Sequence, residues 1–373
     1  MRIARKVRNL APYVYGEQPK ARDVIKLNTN EAAYPPSPKV RAALLKFDPE
    51  LLRRYPNATS ADLREEIAKQ NGAKPENVFV GNGSDEILSL MTDAFVEDDE
   101  AIGSLDPSYS LYKTLADIRG VRWVGGLWED VRRKTGDFKG KVSLALITNP
   151  NNPTGTLIPP REIAAFAKRF RGVVVVDEAY VEYASADCMK LATSPRNRNV
   201  IVMRTFSKAY SLAGLRVGYC VGPKDLIDAL FKIKDSYNVD AIAQTLALAA
   251  FRDQKTLKAT VRKVIATRTW FVAELEKRGW DVLKPEANFI FARPPVAGEG
   301  SGERGTGNRK RGSRLLTACE KAQYLFTELR ERKIFIRYFK GPKTGDRVRI
   351  TIGTDAQMKR VLREIDRIYG TLP

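Results

Sequence analysis

The chain has 373 residues, 43% of them hydrophobic, enough to bury a sizeable core and more than one domain needs. Its 64 Lys and Arg against 44 Asp and Glu give a net charge of +20, and it contains no histidine. No apolar run reaches the roughly 18 residues of a membrane span, residues 1–10 are too few and too charged for a secretory signal, the scattered Cys188, Cys220 and Cys319 suit reduced thiols in a cytoplasm, and without histidine or paired cysteines no transition-metal centre is expected.

In chain order, the first informative element is Val78 to Val80, an apolar strand leading into Gly81, Asn82, Gly83, Ser84 and Asp85 and then a helix start. Free backbone N–H groups and the positive end of a helix dipole meet at such a turn and suit a phosphate, although a glycine-serine turn alone favours an ordinary capped helix. Next, Val142 to Ile147 runs into Asn-Pro-Asn-Asn-Pro-Thr-Gly at 149–155, and the four valines 173–176 run into Asp177, Glu178, Ala179 and Tyr180. Each reads as a short buried strand ending in polar residues. A carboxylate closing four valines is costly to bury without a cation, and a protonated pyridine nitrogen would serve; a helix N-cap is the plain alternative. Asn152 has its own plain reading, as part of a turn.

Val200 to Met203 then leads into Thr205, Ser207, Lys208 and, eight residues on, Arg216. A lysine beside a second cation in a partly apolar pocket loses part of its preference for the protonated form and can form a Schiff base with an aldehyde. Past the carboxyl end of a buried strand, it would sit where open α/β sheets hold their ligands. Taken alone, a solvated surface lysine is the commoner case. The plain readings leave unexplained why three strand ends in one chain carry Asn, Asp and Lys.

Residues 240–250 and 256–277 read as helices with one apolar face, the second long enough to bridge two domains. The segment 296–314, after Arg293, Pro294 and Pro295, is Gly-rich and basic, cannot bury a core and is expected to be a surface loop. In 334–337 and 348–351 an arginine, Arg337 or Arg349, interrupts an apolar strand pattern. Arginine suits planar recognition of carboxylate and phosphate; a solvent-facing strand residue is the alternative, since Arg347 and Arg349 stand two apart.

These motifs, in this order, resemble the fold-type I aminotransferases that use pyridoxal phosphate, and within them the histidinol-phosphate aminotransferases. The resemblance runs from Tyr-Val-Tyr-Gly-Glu-Gln-Pro at 13–19 to Arg-Ile-Thr-Ile-Gly-Thr at 349–354, nearly the whole chain. It implies an α/β fold: a large cofactor domain at 35–279 with a mostly parallel central sheet flanked by helices, a smaller α+β domain at 280–373 carrying the 296–314 loop, and an N-terminal arm, 1–34, packed with the small domain. It implies that Lys208 holds pyridoxal 5'-phosphate through a Schiff base and moves the proton, that Asp177 pairs with the pyridinium nitrogen, and that Asn152 and Tyr180 bond the ring's phenolic oxygen. Tyr109 is similar to the aromatic residue that stacks on the ring. Gly83, Ser84, Asp85, Thr205, Ser207 and Arg216 would cup the phosphate, and Tyr55 would reach the phosphate of a neighbouring subunit, which implies a homodimer with shared active sites. Arg337, Arg349, Asn152 and Tyr13 would bind the substrate, and no metal is implied.

The implied reaction is transamination between L-histidinol phosphate and 2-oxoglutarate, a step of histidine biosynthesis in the cytoplasm. One departure stands near the substrate entrance: Asn30-Glu-Ala-Ala-Tyr34 replaces the family's Asn-Glu-Asn-Pro-Tyr, removing a side-chain donor and a turn constraint. Relatives on the same fold transaminate aromatic amino acids or decarboxylate a phosphorylated threonine, and both alternatives stay open at this point. Nucleic-acid binding through 296–314 would use the net charge, but no aromatic residue is interleaved there, and a solvated loop is preferred.

Overall fold

The computed structural model describes residues 2–3, 5–8, 10, 15–21, 23–126, 141–295 and 316–370; Tyr13 and the 296–314 segment lie outside them. Its strands are β1 (Ile25–Lys26), β2 (Val78–Gly81), β3 (Ala101–Ser104), β4 (Arg122–Gly125), β5 (Val142–Thr148), β6 (Val173–Asp177), β7 (Val200–Thr205), β8 (Gly218–Val221), β9 (Asp281–Val282), β10 (Phe289–Arg293), β11 (Ile334–Phe335), β12 (Arg337–Tyr338) and β13 (Val348–Thr351).

A seven-stranded sheet has the order β2-β8-β7-β6-β5-β3-β4, and β8 alone runs against the others. Its central strands are apolar almost throughout because both faces are covered. Val174, Val176, Val200 and Val202 enter one core, shared with the helices Ala61–Asn71, Pro160–Arg169 and Ala241–Phe251. Val175, Ile201 and Met203 point the other way, into a core shared with the helices Gly83–Phe95, Leu111–Arg119 and Lys224–Ile233. Side chains alternate across a strand, so the valine run of β6 feeds both layers.

A further core surrounds the antiparallel sheet β12-β13-β10-β9. It takes Ile25 and Leu27 from the N-terminal segment, Val261, Val264, Phe271 and Leu275 from the helix Gln254–Glu276, and apolar faces of the helices Ala318–Glu331 and Asp355–Gly370. Leu257, on the first of these helices, packs against both this core and that of the large sheet. That helix starts before 256 because Asp253 caps it, its carboxylate accepting from the Thr256 N–H.

The 334–337 segment departs from its expectation as one strand. Ile334–Phe335 pairs in parallel with β1, whereas Arg337–Tyr338 pairs with β13. Ile334 and Ile336 both stay buried, so the chain crosses between two sheets while holding its apolar side in the core. Among the described residues, no helix is long and apolar enough to cross a membrane, and no group of three or more Cys, Asp or Glu could hold a metal ion.

Candidate active site

Parallel strands β5, β6 and β7 end side by side, with Thr148 opposite Asp177 and Asp177 opposite Met203. A cavity of about 730 Å³ opens over these carboxyl ends. The chain leaves each strand there through the motif that drew attention in the sequence, which brings Asn152, Asp177, Tyr180, Thr205, Ser207 and Lys208 into one wall.

Asp177 is 4% exposed. Its Oδ2 accepts from the Tyr112 hydroxyl at 2.7 Å and its Oδ1 from the Ala179 N–H at 3.2 Å. The second bond closes a local turn, but no helix starts there for Asp177 to cap, the next being the short Val181–Tyr183 helix with Tyr180 at its cap position; the first is long-range. Burial pushes the carboxyl up to about 6, Asp85 adds to the rise, and Tyr112, the Ala179 N–H and Lys208 oppose it. Lys208 Nζ donates to the Thr29 carbonyl at 3.2 Å and lies 5.7 Å from the centre of the Tyr180 ring. Burial, followed by the charge of Arg349, pushes its ammonium down to about 8, with Glu31 and Asp85 pulling the other way.

A second wall is the start of the helix Gly83–Phe95. Asn82 makes no side-chain cap there, leaving the first-turn N–H groups of Ser84 and Asp85 without one. Gly83 has φ +81°, and a Cβ on it would come within 2.7 Å of Arg216 Nη2. Gly218 abuts the same turn, where a Cβ would stand 2.6 Å from the Ser84 nitrogen. Arg216 donates to Ser207 Oγ at 3.3 Å and to Asp85 Oδ2 at 3.2 Å, and the Thr205 hydroxyl oxygen accepts from the Ser207 N–H at 3.1 Å. These donors suit a phosphate. The Asp85 side chain would repel one, so its contribution to such a cup is its backbone N–H.

Tyr109 also lines the cavity, its hydroxyl 3.5 Å from Asp85 Oδ1. At the outer end, Arg349 is 6% exposed, which removes the solvent-facing alternative. It donates to Asn152 Oδ1 and to the Asn28 carbonyl, each at 2.7 Å. Arg337 stands opposite Arg349 across β12 and β13, and both guanidinium groups lie over the Phe339 ring, at 5.3 and 5.2 Å. Arg347 falls before the strand and pairs with Asp281 instead. Asn30 donates to the Tyr180 hydroxyl oxygen at 3.0 Å and accepts from the Thr351 hydroxyl at 3.0 Å. Ala33 and Tyr34 pack on the core of the smaller sheet, so the Ala32-Ala33 departure leaves Asn30 anchored.

Tyr55 is not brought into this cavity. It is 80% exposed and stacks on Tyr237 with ring centres 4.3 Å apart. Tyr13 lies outside the described residues, although Tyr15 of the same motif lines the cavity. The sequence reading overlooked Tyr112, Thr148, Asn30, Glu31, Lys26 and Gly218. Of these, Glu31 borders the cavity and pairs with Lys26 at 2.5 Å. Only the Asn30-Glu31 pair carried a signal, as part of the arm motif.

The chain also has counterparts among known proteins. A family model described as aminotransferase class I and II matches residues 22–365. The chain is 42% identical over 363 residues to a histidinol-phosphate aminotransferase of Geobacter sp. (strain M21), covering 96% of each chain. Among solved structures it resembles that of histidinol-phosphate aminotransferase from Sinorhizobium meliloti in complex with pyridoxal-5'-phosphate, with a TM-score of 0.84, 24% identity and coverage of 100% of this chain and 98% of that one. It also resembles L-threonine-O-3-phosphate decarboxylase from Porphyromonas gingivalis, with a TM-score of 0.76, 22% identity and coverage of 93% and 100%, a likeness of fold alone.

Proposed function

The chain belongs to the class I and II aminotransferases, and within them to the histidinol-phosphate aminotransferases, and on that premise we propose that it exchanges an amino group between L-histidinol phosphate and 2-oxoglutarate with pyridoxal 5'-phosphate as cofactor. One observation carries the reading: a half-buried lysine and a buried aspartate face a single cavity. An amine whose ammonium is held down at about 8 is available to an aldehyde, and a carboxylate raised by burial is short of a cation. An aldehyde on a pyridinium ring answers both needs, and the capless helix start beside Arg216 suits its phosphate.

When bound, the cofactor supplies the electron sink for bond breaking at the substrate carbon. Lys208 Nζ takes the proton from that carbon and returns it during the exchange. Asp177 keeps the ring nitrogen protonated. Asn152 and Tyr180 hold the phenolic oxygen, and the Tyr109 ring supports the cofactor's face. The phosphate is bound by the N–H groups of Ser84 and Asp85 at the Gly83 turn, by Thr205, Ser207 and Arg216, and by Tyr55 of a second subunit. Arg349 and Arg337 bind the anionic groups of the two substrates, with Asn152 beside them and Tyr13 closing over the site.

The homodimer is part of this proposal. Tyr55, Leu44, Leu45, Leu51 and Leu52 are exposed large apolar residues within one stretch of chain, and Tyr237 against Tyr55 extends the patch. So are a cytoplasmic location, supported by three unbridged cysteines, and a division into an arm at 1–34, a large domain at 35–279 and a small domain at 280–373, supported by the two-sided packing of Leu257.

Visible absorbance of the cofactor-loaded protein tests the reading. Histidinol phosphate, phenylalanine and threonine phosphate are added separately, with no keto acid present. The expected outcome is a full band shift at low histidinol phosphate and little response to the others. A preferential response to phenylalanine or threonine phosphate would reassign the substrate, and a protein that takes up no cofactor would overturn the whole reading.

A further inference from the structure

Tyr112, on the helix Leu111–Arg119, is fully buried, and the reaction as described gives it no role. Its hydroxyl oxygen lies 2.7 Å from Asp177 Oδ2 and 2.6 Å from Thr148 Oγ1. An ionised Asp177 has no proton to give, so the phenol donates to it and the Thr148 hydroxyl donates to the phenol. Thr148 stands opposite Asp177 across β5 and β6, which fixes the relay to the strand register. The Tyr112 ring also meets Tyr109 edge-on, with centres 5.7 Å apart, and the Tyr112 backbone N–H donates to the Tyr109 carbonyl at 3.1 Å. One side chain therefore braces both the carboxylate and the aromatic platform.

Resting on the reading of Asp177 given above, we infer that Tyr112 is a positioning residue of the reaction: backed by Thr148, it holds Asp177 ionised and oriented toward the cofactor's ring nitrogen. Four groups act on that carboxylate. Tyr112 and the Ala179 N–H touch it, and Asp85 and Lys208 act through their charge. Tyr112 is the donor that substitution can remove. With each carboxylate oxygen accepting one bond from the protein, lone pairs remain for a ring N–H.

Loss of the phenol donor raises the proton affinity of Asp177. With the cofactor bound, Asp177 would then hold the proton it shares with the ring nitrogen more tightly, and the ring would be a poorer electron sink. A hydrogen bond to a buried charge is worth enough for Tyr112→Phe to lower kcat roughly 10- to 100-fold. KM values, set by Arg337 and Arg349, should stay within about twofold, since those contacts are untouched.

Two further measurements separate positioning from mere support. In the apoprotein, the pH at which Asp177 titrates is read from thermal unfolding across pH, with Asp177→Asn as reference; Tyr112→Phe should raise it by about one unit or more. In the loaded protein, cofactor labelled with 15N in the ring should move toward the neutral-pyridine shift. Thr148→Val should move both in the same direction by less, and it carries the test if the Phe variant fails to fold. An unchanged titration in a folded apoprotein overturns the inference whatever the cofactor does. A titration shift with an unchanged ring-nitrogen signal overturns it by a different route, because Asp177 then does not serve that nitrogen. A raised KM with unaltered kcat also overturns it.

Discussion

The inner and outer ends of the cavity are held by different means. At the inner end, Asp177 and Thr205 close their strands and Lys208 follows three residues on, so the ladder of a seven-stranded sheet fixes their positions. At the outer end, Arg349 reaches the carbonyl of Asn28, 321 residues away in sequence, and Asn152 at the tip of another motif. The small sheet places the Arg337 and Arg349 backbones there, but the partners of the Arg349 guanidinium come from two segments outside that sheet. Only the outer end is therefore free to vary. Moving the inner groups requires moving the core, whereas the outer ones can be exchanged singly, so one scaffold can keep its cofactor chemistry and change its substrate.

Substitutions at the inner end should therefore hit kcat and those at the outer end KM. Lys208→Ala should have the largest effect, a loss of turnover on the order of 10⁴-fold with the fold retained in circular dichroism, because the proton has no other carrier. Asp177→Asn should lower kcat on the order of 10³-fold by removing a preorganised charge, measured as single-turnover amino transfer. It should also stabilise the apoprotein. Asp177 titrates near 6 when folded against an ordinary 3.8, so between those values the folded chain binds more protons than the unfolded one and stability falls as pH rises. The gain from Asn should thus be absent below 3.8 and full above about 6, where a shift of that size corresponds to about 3 kcal/mol. Thermal unfolding of both apoproteins across that range checks it; a gain that shrinks with rising pH would contradict the burial of an unpaired carboxylate.

Arg349→Lys sharpens the contrast. A lysine keeps the charge but loses the fork that spans Asn152 and Asn28, so KM for anionic substrates should rise roughly 10- to 100-fold with kcat and cofactor affinity little changed. Equal losses for charged and neutral amino donors would remove Arg349 from substrate binding.

The same contrast explains what could be read from the sequence. Asp177, Asn152 and Lys208 stand out because an apolar run stops abruptly at the first and shortly before each of the others, and such a stop marks a strand end regardless of tertiary structure. Tyr112 gives no such sign. On the helix Leu111–Arg119 its position matches the apolar face shared with Leu115 and Ala116, and only the fold turns its hydroxyl toward β6. Gly218 looks like any strand glycine until a helix start is found against it. The break between Ile334–Phe335 and Arg337–Tyr338 was equally hidden, because alternation is the same whichever sheet receives each half.

The smallest expected effect lies in the N-terminal segment that borders the outer end. Both nitrogens of the Arg330 fork, Nε and Nη2, donate to Glu17 at 2.9 Å, and the Glu17 carbonyl accepts from Asn28 Nδ2 at 2.8 Å. The ion pair therefore tethers the residues next to Tyr15 and Gly16 to the helix Ala318–Glu331, while the Glu17 carbonyl ties them to the same Asn28 whose own carbonyl accepts from Arg349. Both charged groups are largely exposed, so water and salt screen the pair. Glu17→Gln should raise KM for histidinol phosphate by no more than about fivefold and leave kcat and cofactor affinity alone. The hydrogen bond from Arg330 holds the Glu17 carboxyl below its ordinary 4.5, so the tether is present above that value and is lost as pH falls through the lowered one. The difference in KM between wild type and variant should accordingly vanish at low pH and, because the pair is screened, shrink in high salt. A difference that persists there would mean that Glu17 acts through its shape or its neutral hydrogen bonds, and the outer end would then be more rigid than its exposed ion pair indicates.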